Sequence, residues 1–371
     1  MNHPAQGRNR RAEEARQAGP PPSDIAIREE TMAIRTTLGT LLAGAALAIA
    51  GNAGWAADHT LVISSWAPPT HNINAKMWPK FIEMIEEATD GRVTAEVKLG
   101  LAEAPAQMDL VMDGAADVSI IFHGYQPGRF VTTKMIELPG YVGTSEAAAV
   151  AYWRAYEAHL KQANEHRGVK VIALHSHGGA QLQSAAPVTS LDQMAGMKVR
   201  IPGGVATDLG AALGMIGIQV PAPKVYETLA SKAADGVVIP IESRAGFKLT
   251  EVAQNMYMLP GGLYRGSFAY IMSEEAFAAL PADIQAALEE KVFGEPLSRA
   301  IGAIWEQGDA EGIALTEATP GNAIHHASPE DAARFDEIAG TIRAKVIEEV
   351  AATGVDAQAA YDMIRAEMAA W

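Results

Sequence analysis

The property of this chain that most restricts its fold is a repeated alternation of short strand-like runs with helix-like segments. His59 to Trp66 is β-branched and aromatic. Ala75 to Thr89 then sets Met77, Phe81, Ile82 and Ile85 at helical spacing and stops at Asp90-Gly91. Arg92 to Leu99 alternates as a strand, Ala104 to Met112 reads as a helix, and Asp117 to Phe122 as a short buried strand. Parallel neighbours need a crossover, so this rhythm predicts a mostly parallel sheet with helices on both faces. After a long helical pattern over Glu146 to Ala163 the rhythm resumes. Strands are expected at Val169 to His175, Met197 to Pro202, Gln219 to Pro221 and Gly236 to Ile239, with helices at Val205 to Leu213 and Val225 to Lys232. Ser267 to Ser273 returns the chain to the first sheet. Pro281 to Glu317 is helical with a break at Gly294-Glu-Pro296, and a strand at Ala323 to His326 precedes helices from Pro329 to Trp371. The expected fold is α/β: two lobes, each a mixed sheet flanked by helices, with a ligand cleft between them. Lobe I is expected from 57–176 plus 266–304, lobe II from 177–265 plus 305–350, and a C-terminal helix from 351–371.

Nothing but a core can hold such lobes together, because the chain has no cysteine. Residues 1–31 are polar and without hydrophobic period. Met32 restarts the pattern: Arg35, an apolar run from Leu38 to Ala50 and a small-residue site ending at Ala56 describe a secretory signal peptide, so a periplasmic location is expected. Arg10-Arg11 lacks a following apolar segment, which argues against a twin-arginine signal. Residues 57–371 retain 23 Lys and Arg against 39 Asp and Glu. No basic stripe is available to neutralise phosphates, so nucleic acid is excluded as a partner. An anionic small molecule remains open, provided that individual arginines supply a local positive site.

Arg200 is such an arginine. It ends the short strand after Ser190 and sits between apolar neighbours in Met-Lys-Val-Arg-Ile-Pro-Gly-Gly. Its planar fork of donors matches a carboxylate two bonds at a time, although a surface ion pair is equally open on the local pattern. Residues at other strand ends are candidate cleft walls, because ligands in α/β sheets bind outside the carboxyl ends of strands. Trp66, His71 and Asn72 follow the first strand, His123, Tyr125 and Gln126 the third, and Glu242 the strand ending at Pro240. His175 and His177 have a spacing compatible with metal, but no third ligand is evident; one is expected to line the cleft and the other to be structural. Gly203-Gly204 lacks the spacing of a dinucleotide loop, and no nucleophile elbow, P-loop or H-E-x-x-H occurs. No enzyme activity, cofactor or metal is expected.

Several blocks in a fixed order carry a family resemblance. They are Ala104 to Val118 with its Gly-x-x-Asp turn, Gly124 to Phe130 with Glu137-Leu-Pro139, the L-x-x-x-x-G-x-K-x-R-x-P pattern of Leu191 to Pro202, and Tyr226 to Pro240 with D-G-x-x-x-P. In these the chain resembles the solute-binding proteins of tripartite ATP-independent periplasmic (TRAP) transporters, the family of C4-dicarboxylate receptors. The resemblance implies a periplasmic binding protein of Venus-flytrap architecture whose lobes close on a small organic acid. It also implies delivery to the small and large subunits of a TRAP membrane permease, and that Arg200 grips the ligand carboxylate. Sialic-acid receptors of the family have a second arginine where this chain has Ala180, and many members have an asparagine where it has Val237, Val238 and Ile239. A carboxylate with an apolar or aromatic body is therefore expected. The expected ligand-binding set is Arg200, Trp66, His71, Tyr125, Gln126, His177, Gly179, Val238, Glu242 and Tyr264, with Glu242 facing either a ligand amine or Arg244. A monomer is the expected state. A periplasmic sensor of the same fold and an exported metalloenzyme using His175 and His177 are the alternatives.

Overall fold

The computed structural model describes residues 57–371; the expected signal peptide and start at Met32 lie outside the described residues. Eleven strands form two sheets. β1 (His59–Ser65), β2 (Val93–Leu99), β3 (Val118–Phe122) and β4 (Lys170–Ser176) join β10 (Ser267–Met272) in a five-stranded sheet of order β2-β1-β3-β10-β4. β5 (Gln181–Ser184), β6 (Lys198–Ile201), β7 (Ile216–Gln219), β8 (Gly236–Ile239), β9 (Asn255–Met258) and β11 (Ala323–His326) make a six-stranded sheet of order β11-β9-β5-β8-β6-β7. Both are mixed. β10 runs antiparallel to β3 and β4, and β5 antiparallel to β8 and β9, whereas the βαβ pairs are parallel. The alternation of helix and strand therefore recovers the parallel pairs β1–β2, β1–β3, β6–β7 and β6–β8 and misses β5 and β9, which are four residues each, β5 being polar at three of its four positions.

The expected single helix over Glu146 to Ala163 is α-helical only over Ser145–Ala155 and continues as a π-turn and a 3-10 turn. The expected strand at Gln219 to Pro221 lies earlier, at Ile216–Gln219. The break at Gly294 separates the helices Ala282–Lys291 and Glu295–Ala318: Gly294 has φ +80°, Pro296 occupies the first turn of the second helix, and the Trp153 ring closes over the glycine.

Three apolar clusters hold the molecule. Ile63, Trp78, Phe81 and Tyr270 fill one face of the first sheet, and Val225, Val237, Ile239 and Leu249 fill one face of the second. The largest runs beneath both sheets, joining Leu174 and Ile271 of the first to Leu182 and Val238 of the second, and takes in Val346 and Ile364 of the helices Pro329–Ala351 and Ala357–Ala369. The C-terminal helices thus share one core with both sheets, and at roughly 25 cal/mol per Å² of apolar surface removed from water this shared packing ties the lobes together.

The chain passes between sheets in two strand connections. Residues 177–180 leave β4 for β5, and 259–266 return from β9 to β10. They run side by side: Ala180 N–H donates to Tyr264 O (2.9 Å) and Leu263 N–H to Ala180 O (2.8 Å). A Cβ on Gly179 would lie 2.2 Å from Gly261 O, so only glycine allows the two backbones to meet. The helix Glu295–Ala318 also links the lobes, packing on Ser145–Ala155 and β4 and, further along, on β11. Among the described residues, no helix is long and apolar enough to cross a membrane.

Candidate functional site

Strand ends from both sheets converge on one cavity, part of it open towards solvent. Arg200 reaches it from the carboxyl-end half of β6: it shares a strand face with Lys198, which is exposed, but two residues further on it is buried, with 1 % of its surface exposed. Its Nε donates to Val220 O (2.8 Å), and Nη2 lies 3.5 Å from the Tyr125 hydroxyl. No carboxylate of the described residues pairs with it. The Tyr125 hydroxyl accepts from Ala222 N–H (2.8 Å), which leaves its own proton free to donate towards the cavity. Arg200 is therefore a buried cation beside a phenolic donor, lacking the counter-charge that buried cations require.

The walls are aromatic. Phe122 packs against Tyr125 (ring centroids 4.6 Å apart) and Phe268 (4.9 Å), and Phe268 against Trp305 of the long helix (5.6 Å). Trp66 donates its indole N–H to Ile120 O (2.8 Å), so only its ring faces the space. Trp305 donates to His175 Nδ1 (2.9 Å), and His175 stacks on Phe268 (5.1 Å). Of the two histidines, His177 lines the cavity and His175 packs behind it. Among the described residues, no group of three or more His, Asp or Glu is arranged to hold a metal.

Glu242 is the other charged group of the cavity. Its Oε1 accepts from the Ser243 hydroxyl (2.5 Å) and lies 3.4 Å from His71 Nε2, and its Oε2 accepts from Asn72 Nδ2 (3.2 Å). Ile73 N–H donates to His71 Nδ1 (3.2 Å), which makes Nδ1 an acceptor and leaves Nε2 as the nitrogen facing Glu242. Burial works to raise the Glu242 pKa, but His71, Ser243 and His177 together hold it below the ordinary value. The expected alternative partner Arg244 is elsewhere: it donates to Gln183 Oε1 (2.9 Å) and Ala253 O (3.1 Å) and lies against Asn322.

Of the ten residues singled out from the sequence, seven border this cavity: Arg200, Trp66, His71, Tyr125, His177, Glu242 and Tyr264. Three do not. Gln126 lines a separate surface recess with Lys134 and Glu137, where its side-chain oxygen accepts from Arg129 (3.1 Å). Gly179 is consumed by the backbone crossing with Gly261. Val238 faces the shared core because β8 alternates, which turns Ile239 towards the cavity instead. His123, another strand-end residue, is bonded to Ser267 Oγ and His166 Nε2, each at 2.8 Å, away from the space. Phe122, Ile239, Phe247, Phe268 and Trp305 are cavity residues that the sequence reading omits. Strand parity alone would have found Ile239, and the strand end Phe122; Trp305 lies mid-helix and carries no local signal.

A sequence model of the bacterial extracellular solute-binding proteins, family 7 (DctP), matches residues 63–349. The chain belongs to this family. Among solved structures, a TRAP periplasmic solute-binding protein of Bordetella bronchiseptica with bound (R)- and (S)-mandelate is 34 % identical with a TM-score of 0.80, covering 84 % of this chain and 98 % of that one. A TRAP solute-binding protein of Rhodoferax ferrireducens in complex with copurified benzoate is 25 % identical with a TM-score of 0.78, covering 84 % and 97 %. In sequence, the chain is 27 % identical over 343 residues (91 % of this chain, 99 % of the relative) to the outer membrane transporter protein TsaT of Comamonas testosteroni. It is 23 % identical over 330 residues (88 % and 98 %) to the C4-dicarboxylate-binding periplasmic protein DctP of Rhodobacter capsulatus. Family 7 proteins are extracytoplasmic solute receptors rather than enzymes, and the chain is a TRAP solute-binding protein of two-lobed α/β fold. In this family 7 protein the cavity lies between the two sheets.

Proposed function

We propose that this TRAP solute-binding protein captures a small aromatic monocarboxylate and hands it to the two membrane subunits of a TRAP permease, after export by the N-terminal signal peptide. The observation that carries the reading is Arg200, a buried guanidinium without a carboxylate partner on the wall of a cavity built from aromatic rings. The ligand carboxylate supplies the missing counter-charge, accepting from the Arg200 fork and from the Tyr125 hydroxyl; burial keeps the Tyr264 hydroxyl protonated as a further donor. The ligand body packs between the rings of Trp66, Phe122, Phe268 and Trp305.

Glu242 argues for one carboxylate rather than two, because a second anionic group would meet its charge inside a space of low dielectric. The mandelate and benzoate of the two related structures are acids of this kind. Lobe I is assigned to 57–176 plus 266–304 and lobe II to 177–265 plus 305–350, with 351–371 as a C-terminal helix; the strands of each sheet fall within these spans. Closure of the lobes is favoured by contacts to both, Tyr125 from one and Arg200 from the other.

Calorimetric titration of residues 57–371 with benzoate, phenylacetate, mandelate, succinate and galacturonate tests the reading. Saturable binding of the aromatic acids with weak or absent response to succinate and galacturonate is expected. Binding confined to the dicarboxylate or the sugar acid overturns it.

A further inference from the structure

His177 has one ring nitrogen committed and the other free. Nδ1 lies 2.6 Å from Gly178 O, which can only accept, so Nδ1 carries the proton and donates it. Gly266 N–H also approaches Nδ1, at 3.4 Å, but that longer contact does not displace the short bond. The neutral ring then leaves Nε2 as a bare acceptor, with no hydrogen-bond partner among the described residues. Burial, outweighing the bond to Gly178, pushes the His177 pKa down to about 4, so the ring does not gain a second proton at neutral pH. The residue is 3 % exposed, borders the cavity, and meets Tyr264, Phe268 and Trp305 edge-on, which fixes the ring plane.

The remaining polar groups of the cavity differ from it. Arg200 and the Tyr125 hydroxyl offer donors. The Glu242 carboxylate is an acceptor, but it already has His71, Asn72 and Ser243 around it. Trp66 and Trp305 spend their N–H groups on Ile120 and His175. An acceptor that a bound ligand shuts off from water is costly without a donor, and a donor on the ligand removes that cost.

We propose that His177 is a specificity-determining residue that accepts a hydrogen bond from a hydroxyl group of the ligand, so that the site selects hydroxylated aromatic acids over their unsubstituted parents. The proposal rests on the aromatic-acid reading above and adds to it the second polar contact. It predicts that an analogue lacking the hydroxyl leaves Nε2 unpaired, a loss of roughly ten- to a hundredfold in affinity.

Matched pairs differing by one hydroxyl separate the two ideas: phenylacetate against (R)- and (S)-mandelate, and benzoate against 3- and 4-hydroxybenzoate, titrated by calorimetry. The wild type is expected to prefer the hydroxylated member of at least one pair by tenfold or more. His177→Phe should abolish that preference, and His177→Gln, which returns an acceptor oxygen, should restore part of it. Nitrogen-15 NMR of histidine-labelled wild type gives a readout independent of any variant. Nε2 is expected to resonate as an unprotonated nitrogen in the free protein and to shift with the preferred hydroxy acid but not with its parent. Equal affinities across both pairs, a preference that survives in His177→Phe, or a protonated Nε2 overturns the assignment and leaves the aromatic-acid reading standing. Failure of every aromatic acid to bind overturns both.

Discussion

Replacing Arg200 with methionine separates a ligand clamp from a structural arginine, because the two roles predict opposite balances of stability and binding. Methionine keeps the length and much of the volume of the side chain and removes its charge. In the ligand-free protein the substitution loses the Nε bond to Val220 O, about 1 kcal/mol. It also relieves the desolvation of a cation that has no carboxylate beside it, which is worth at least as much. The variant is therefore expected to be no less stable than wild type. Binding should fall steeply: two charge-assisted hydrogen bonds at about 1.5–3 kcal/mol each correspond to at least a hundredfold in affinity. Scanning fluorimetry reads both effects. An acid present at 100 times its dissociation constant stabilises the wild type by about 2.7 kcal/mol; a hundredfold weaker variant gains about 0.4 kcal/mol at the same concentration. For a folded unit of about 315 residues, with an unfolding entropy near 2.1 cal/mol/K per residue, these are shifts of roughly 4 °C and under about 1 °C. A variant that melts several degrees lower without ligand, yet keeps the full ligand shift, would refute the reasoning and make Arg200 a structural residue.

Glu242→Gln removes the cavity's negative charge while keeping the shape of the group; terephthalate, an aromatic dicarboxylate, is expected to bind the variant at least tenfold more tightly than wild type, and an unchanged affinity by calorimetry removes Glu242 from the selection of monocarboxylates. Asp309 is lifted from 3.8 to about 7 by burial, with the charges of Glu242 and Glu306 adding. The unfolded chain ionises near 3.8 while the folded protein holds its proton, so the stability Asp309 confers is complete below about pH 4 and lost as pH rises through 7. Asp309→Asn does not titrate; urea unfolding should show it gaining roughly 2–4 kcal/mol on wild type between pH 4 and 8, and a constant difference across that range contradicts the assignment. Gly179→Ala drives a methyl group into Gly261 O and is expected to lower stability by about 3 kcal/mol or more; a melting temperature within 2 °C of wild type would mean that the crossing adjusts easily.

Hydrophobic runs made much of the fold readable. β1, β3 and β8 are bounded apolar segments, and their parallel pairing follows from the helices between them. β5 and β9 escaped because the cues that mark strands are absent. Gln181-Leu-Gln-Ser184 reads as a polar linker, yet it is buried because Gln181 bonds along its side-chain amide to Leu259 and Gln183 to the carbonyls of Ile239 and Pro240. Those partners are more than fifty residues away, beyond any local pattern. The site divides in the same way. Arg200 lies at a strand end, Tyr125 and Glu242 just past theirs, and all three are found by position, whereas Gly179 and Gln126 also follow strands and are diverted by contacts that only the folded chain creates. Val238 was a parity error of one residue, the smallest slip that a strand permits and enough to exchange cavity for core.

The paired connections at Gly179 and Gly261-Gly262 have a mechanical consequence. His177 stands two residues before Gly179, and Tyr264 two residues after Gly262, so the pieces of chain that join the lobes also carry two walls of the cavity. Any rotation of one lobe against the other that is taken up in these connections swings the imidazole and the phenol with it. A hinge at these connections would be one object with the binding surface, and an acid held by both walls would set the angle between the lobes.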